Sequence, residues 1–160
     1  MIDALHLDHL ALRVPDREAA VTKLTDAGYT IVDSFDIVLA DGSTAQSYAL
    51  THPCLPDMFV SSGPPGSLIS NWVEGKGGKG AVHHLAYVVD DVFAAVDEWG
   101  LVGIKFQTPE PIICSCPSPL VQIFTEEDPT TGLVYELITR NGHPGFCKEN
   151  VRRLMEASSG

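Results

Sequence analysis

The chain has 160 residues, a hydrophobic fraction of 44% and a charged fraction of 19%, which suits a single soluble domain large enough to bury a core. Its net charge of −11 repels phosphate backbones and anionic lipid, so neither nucleic acid nor a membrane surface is expected as a partner. No apolar run approaches the ~18 residues of a membrane span. The stretch MIDALHLDHLAL lacks the early basic residues of a secretory signal, so a cytoplasmic location is expected. The four cysteines, Cys54, Cys114, Cys116 and Cys147, form no CxxC, and Cys114-Ser115-Cys116 is too short for an ordinary zinc clip, so they read as reduced thiols.

The first element, residues 6–14, carries Leu7, Leu10, Ala11, Leu12 and Val14 and reads as a strand. Asp16 then stands at an N-cap position before a helix over 17–27, with Ala20, Leu24 and Ala27 on one face and Gly28 behind it. Strand-like runs follow at about 29–38, 45–52 and 57–62, separated by turn signals such as Asp41-Gly42. Residues 63–80, rich in proline and glycine, read as a linker.

The same pattern then returns. Residues 82–104 match residues 7–29 without a gap at an offset of 75, which carries His9 onto His84, Asp16 onto Asp91 and Gly28 onto Gly103. The second copy reads as a strand over 82–89, a helix over 92–99 with Val92, Val96 and Trp99 on one face, and strands at about 104–108, 119–125 and 133–139. Each half is therefore βαβββ. The tail, 141–160, reads as a loop and a short helix at about 148–157.

Strand alternation puts Leu7, His9, Ala11 and Arg13 on one face, Val82, His84 and Ala86 on another, and Val134, Glu136 and Ile138 on a third. A carboxylate inside Leu133-Val134-Tyr135-Glu136-Leu137-Ile138 is costly to bury without a partner, and a metal ion would supply one. A lone strand histidine is usually a hydrogen-bonded core residue, but here both copies place a histidine at the same point. Two histidines and one carboxylate on separate strands form the ligand set of non-haem Fe(II) oxygenases. By alternation His83 faces the other way, next to the site or at the surface. His6, His52 and His143 read as surface residues, and Gln46 as a weak further donor.

These residues resemble the vicinal oxygen chelate superfamily, whose paired βαβββ repeats occur in glyoxalase I, methylmalonyl-CoA epimerase and extradiol dioxygenases. The chain is most similar to the C-terminal, metal-binding domain of 4-hydroxyphenylpyruvate dioxygenase. The motifs that carry the likeness are Gly80-Ala81-Val82-His83-His84-Leu85-Ala86, Leu120-Val121-Gln122-Ile123-Phe124-Thr125, Tyr135-Glu136-Leu137-Ile138-Thr139-Arg140 and Gly142-His143-Pro144-Gly145-Phe146 with Asn150. The resemblance implies an α+β domain over 1–160, its two repeats forming one cleft-shaped, barrel-like mixed sheet with a short C-terminal helix.

It implies further that His9, His84 and Glu136 hold iron, that Gln122 is a substrate-side polar group and Phe124 a pocket wall, and that Phe146 and the C-terminal helix form a lid. The chain departs from that family where it has His83 for a glutamine, Leu68 near a substrate-binding glutamine, Val151 for an aromatic, and one domain where the family has two. These departures bear on the substrate and leave the metal set intact.

Glyoxalases and epimerases of the superfamily use four protein ligands. The offset of 75 carries Glu136 back to Ser61, which is no such ligand. Three ligands leave open positions for a chelating acid and O2, so the leading expectation is an Fe(II)-dependent dioxygenase acting on a 2-oxo acid or similar small organic acid. The second is a metal-dependent isomerase, epimerase or lyase using Co, Ni, Zn or Mn, with Gln46 or water as fourth ligand. The third is a non-enzymatic binding or resistance protein. A homodimer is expected, as for other single-module members.

Overall fold

The computed structural model describes residues 4–158. The outermost residues of the expected N-terminal segment (1–3) and C-terminal lid (159–160) lie outside the described residues. The chain divides into two compact units, one running from His9 to His83 and the other made of the segment before His9 and everything from His84 onward.

The His9–His83 unit contains most of β1 (His6–Arg13), then α1 (Arg17–Asp26), β2 (Thr30–Val38), β3 (Thr44–Thr51), β4 (Asp57–Ser62) and α2 (Leu68–Gly75). Its strands lie in the order β2-β3-β4-β1, antiparallel except for the parallel β4–β1 pair. Asp16 caps α1 by accepting a hydrogen bond from the Ala19 amide. Gly28, at φ +101°, turns the chain back where a side chain would be strained. Val14, Val21, Tyr29, Leu50 and Val60 form this unit's core, with Ala20 and Leu24 of α1 packed against it.

Helix α2 lies within the stretch expected to be a linker. The prolines and glycines of 63–80 flank it rather than fill it. Ser67 caps it by accepting from the Ser70 amide, and Ile69 and Val73, one turn apart, are buried. Four residues of helical period are easily masked by the glycines that surround them.

The second unit contains part of β5 (Ala81–Val88), then α3 (Val92–Leu101), β6 (Ile112–Ile113), β7 (Val121–Phe124), β8 (Val134–Thr139) and α4 (Lys148–Ala157). Its order is β5-β8-β7-β6, again antiparallel except for the parallel β5–β8 pair. Asp91 caps α3 as Asp16 caps α1. Val92, Ala95, Ile123 and Leu137 make the core beneath α3, with Val96 and Trp99 against it.

The strand expected at 104–108 is reduced to a single bridge, Phe106 to Thr125, and the edge strand lies instead at Ile112–Ile113. Pro109 and Pro111 explain the shift, since neither can donate to a ladder. The α+β class, the βαβββ order of each half and the short C-terminal helix are those expected from the sequence. No helix among the described residues is long and apolar enough to cross a membrane.

Candidate metal centre

Glu136 is the pivot of the second unit. Its register on β8 sets it opposite Phe124 on β7 and beside Ala86 on β5. It is 1% exposed, yet both of its carboxylate oxygens are engaged. The Gln122 amide donates to Oε1 at 2.6 Å, and Oε2 lies 3.0 Å from His84 Nε2. Asn150 on α4 continues the chain, its Nδ2 donating to Gln122 Oε1 at 3.0 Å and to the Leu120 carbonyl at 3.1 Å. Asn150 Oδ1 is buried without a hydrogen-bond partner among the described residues. Phe124 packs on His84, with ring centroids 4.6 Å apart, and belongs to an apolar cluster with Ile112, Val134 and Leu154.

The donor chemistry fits a divalent cation. An imidazole nitrogen and a carboxylate oxygen bound cis on an octahedral ion at about 2.1 Å each stand about 3.0 Å apart, the separation of His84 Nε2 and Glu136 Oε2. Gln122 supplies the outer contact that orients a ligating carboxylate. Isolated Glu136 would carry a heavy desolvation cost, and its partners offset it through charge-assisted hydrogen bonds.

His9 lies in the other unit. It is 1% exposed, on the face of β1 that also buries Ala11 and Arg13, and its register partner on β4 is Asp57. His83 is neither at the surface nor loose: it is 3% exposed and packs edge-on against Trp72 of α2, with centroids 5.4 Å apart. His6 is exposed, while His52 accepts from the Cys54 and Leu55 amides through Nδ1 and so holds its own turn.

Strand register sharpens the comparison between halves. Two residues beyond His84, Ala86 pairs with Glu136; two beyond His9, Ala11 pairs with Phe59. The counterpart of Glu136 is therefore Phe59, at an offset of 77 (136 − 59), and the gapless offset fails by two residues in the later strands. Phe59 is buried against Phe35. Ser61, the residue expected at this position, is instead the counterpart of Ile138, and its hydroxyl shares a 2.7 Å hydrogen bond with Ser47. Gln46 is exposed on the face opposite Ser47. The His9–His83 unit thus places an aromatic ring at the position where the other half has a carboxylate.

Phe146 lies half-buried in the loop before α4, under the Arg140 guanidinium at 5.6 Å. Arg140 also donates to the carbonyls of His143 and Gly145 and forks onto Asp8 at 2.7 and 2.8 Å. Gly142 and Gly145, at φ +77° and +63°, allow the tight path that brings those carbonyls to one side chain. The Asp8–Arg140 fork and the role of Asn150 carry no distinctive signal in sequence. The nearest to one is an asparagine on the apolar face of an amphipathic helix, beside Val151 and Leu154.

No protein-family profile and no curated protein sequence matches the chain. Among solved structures, a variant of 4-hydroxymandelate synthase from Streptomyces coelicolor superposes with a TM-score of 0.82 at 23% identity, covering 96% of this chain and 53% of that one. The chain thus spans about half the length of that protein. Methylmalonyl-CoA epimerase from Mycobacterium tuberculosis superposes at 0.65 and 18% identity, over 83% of this chain and 86% of that one. A hypothetical protein from Bacillus halodurans gives 0.66 at 18%, over 84% and 93%. The chain has the vicinal oxygen chelate fold that its sequence motifs resemble.

Proposed function

We propose that this chain is a metal-dependent enzyme, an Fe(II)-dependent dioxygenase of a 2-oxo acid or similar chelating acid, with His9, His84 and Glu136 as ligands and residues 1–160 working as one domain. The observation that carries this reading is the buried His84–Glu136 pair tied to Gln122, in a chain whose first half has Phe59 at the equivalent position. His9 joins the set as the repeat's copy of His84 and as a buried, strand-borne imidazole. Three protein donors rather than four separate this reading from the four-ligand isomerases of the same fold.

Ferrous iron held by His9, His84 and Glu136 would supply O2 activation and Lewis acidity toward a chelating acid. The chain's own residues do the rest. Gln122 fixes the Glu136 carboxylate by donating to Oε1 and presents its amide to the substrate. Phe124 walls the pocket and keeps water from His84. Phe146 and α4 close over it, with Arg140 fixing the loop that carries Phe146. O2, a small organic acid and a second copy of the chain are the partners of this reading.

A second reading, a metal-dependent isomerase or epimerase, is favoured by one observation. The epimerase is matched over 86% of its length, whereas the synthase is matched over about half. Anaerobic reconstitution with Fe(II), followed by oxygen-electrode assays against a panel of 2-oxo acids, separates the two. Oxygen uptake that vanishes in Glu136→Ala supports the dioxygenase. Turnover without O2 on Co(II) or Ni(II) supports the isomerase instead.

A further inference from the structure

Three of the four cysteines converge. Cys114 follows the edge strand β6, Cys116 lies two residues on, and Cys147 occupies the N-cap of α4 without making a side-chain capping bond. Their sulfur atoms all lie within 4.8 Å of one another, with Cys116 and Cys147 at 3.8 Å. All are free thiols, Cys114 buried and the other two half-buried. The Leu120 amide donates to Cys114 Sγ at 3.1 Å.

We propose that Cys114, Cys116 and Cys147 form a second metal site, a three-thiolate site for one soft closed-shell cation, Cu(I) being the ion whose coordination three thiolates complete. The spacing fits. A metal–sulfur bond of about 2.3 Å puts the sulfurs of a tetrahedral or trigonal thiolate site about 3.8–4.0 Å apart, the observed Cys116–Cys147 separation. A disulfide would need about 2.05 Å and would leave the third thiol over. Thiolates select soft cations such as Cu(I) and Zn(II) over hard ones; Zn(II) would need water as a fourth ligand. The net charge of −11 draws cations to the chain.

Burial pushes the Cys114 thiol up, but the Leu120 amide and the two neighbouring thiols outweigh it and leave Cys114 below its usual value. Hydrogen bonding to Cys114 is the main cause that pushes Cys116 up to about 12. The two half-buried sulfurs give an ion its way in. This site is chemically separate from the His84–Glu136 centre, yet Cys147 begins the helix whose Asn150 holds Gln122.

The test uses the full chain, reduced and anaerobic, titrated with Cu(I) in one arm and Zn(II) in another. Thiolate-to-metal ultraviolet absorption and competition with a chromophoric chelator are the readouts. A Cu(I) band saturating at one equivalent is expected. It should persist in Glu136→Ala and Cys54→Ser, and affinity should fall at least tenfold in Cys116→Ser and in Cys147→Ser, both of which keep the native circular dichroism. Saturation by Zn(II) with no Cu(I) band would overturn the assignment of the ion. No band in either arm, a band unchanged in the Cys116→Ser/Cys147→Ser double variant, or a Cys116–Cys147 disulfide as the resting state would overturn the site.

Discussion

Phe59 and Glu136 hold the same register position in two copies of one strand pair, each opposite the alanine that follows a histidine by two residues. The two should therefore respond to truncation in opposite ways. Glu136→Ala is expected to abolish stoichiometric Fe(II) binding, read by iron analysis of the protein reconstituted with Fe(II) alone, with a smaller effect on thermal stability. Phe59→Ala is expected to keep one Fe(II) per chain and to cost about 3–5 kcal/mol of stability, as for other buried aromatics. Loss of metal in Phe59→Ala with an unchanged melting curve would refute the assignment.

In the proposed centre, Gln122 would act on the metal through Glu136, to which it donates. Gln122→Leu removes the 2.6 Å donor to Oε1 and leaves that oxygen buried. Loss of such an outer contact weakens metal affinity by about 10–100-fold. Equilibrium dialysis against a metal buffer measures it. Unchanged affinity would show that His84 alone orients the carboxylate.

Asn150→Ala strips two hydrogen bonds from one side chain, to Leu120 and to Gln122. A buried acceptor left alone costs about 1–3 kcal/mol. Urea unfolding should show a loss of that order, and metal affinity should fall in the same direction as in Gln122→Leu. The double variant should lose less affinity than the sum, because both changes act on one network.

The Asp8–Arg140 fork holds the loop that carries Phe146. Arg140→Lys keeps the charge but cannot reproduce the fork or reach both carbonyls. Limited proteolysis should cut residues 141–147 faster in this variant, while the native circular dichroism is kept. Equal cutting rates would assign the loop's order to its glycines and Pro144.

Asp128 gives a pH signature away from the metal. Its carboxylate sits below the usual aspartate range, chiefly because the Thr131 and Thr130 amides donate to it. A depressed folded value means that its contribution is complete above the unfolded aspartate value of about 3.9 and is lost as pH falls through the folded one. Amide exchange at Thr130 and Thr131 should stay slow down to that lower pH and then rise. Asp128→Ala should exchange fast throughout, and an unaltered profile would refute the turn's dependence on the carboxylate.

Most of the fold was legible because two periodicities and two capping aspartates recur in both halves. Asp16 and Asp91 mark helix starts by a local mechanism that needs no tertiary context. Helix α2 was hidden because its four-residue apolar period is embedded among prolines and glycines, and β6 because Pro109 and Pro111 displace the edge strand toward Ile112. Within the site, Glu136, His84 and Gln122 announce themselves as polar residues on apolar strands, and the structure places these three together. Phe59 could not be identified from spacing, since the later strands of the two halves differ by two residues and only hydrogen-bond register fixes which residues correspond. Asn150 belongs to the motifs that carry the resemblance, but its contact was equally silent, because Gln122 lies 28 residues away on another element.

The line that runs from Asn150 through Gln122 to Glu136 makes helix α4 a structural creditor of the carboxylate it never touches. If α4 lifts away, Gln122 loses the Asn150 donor that fixes its amide, and the amide that steadies Oε1 gains freedom to turn. The docking of α4 and the orientation of the carboxylate are then coupled through one hydrogen-bonded line. A chain shortened before residue 148 would keep its histidines and its glutamate, yet would present them without the angular restraint that ordered donor sets require.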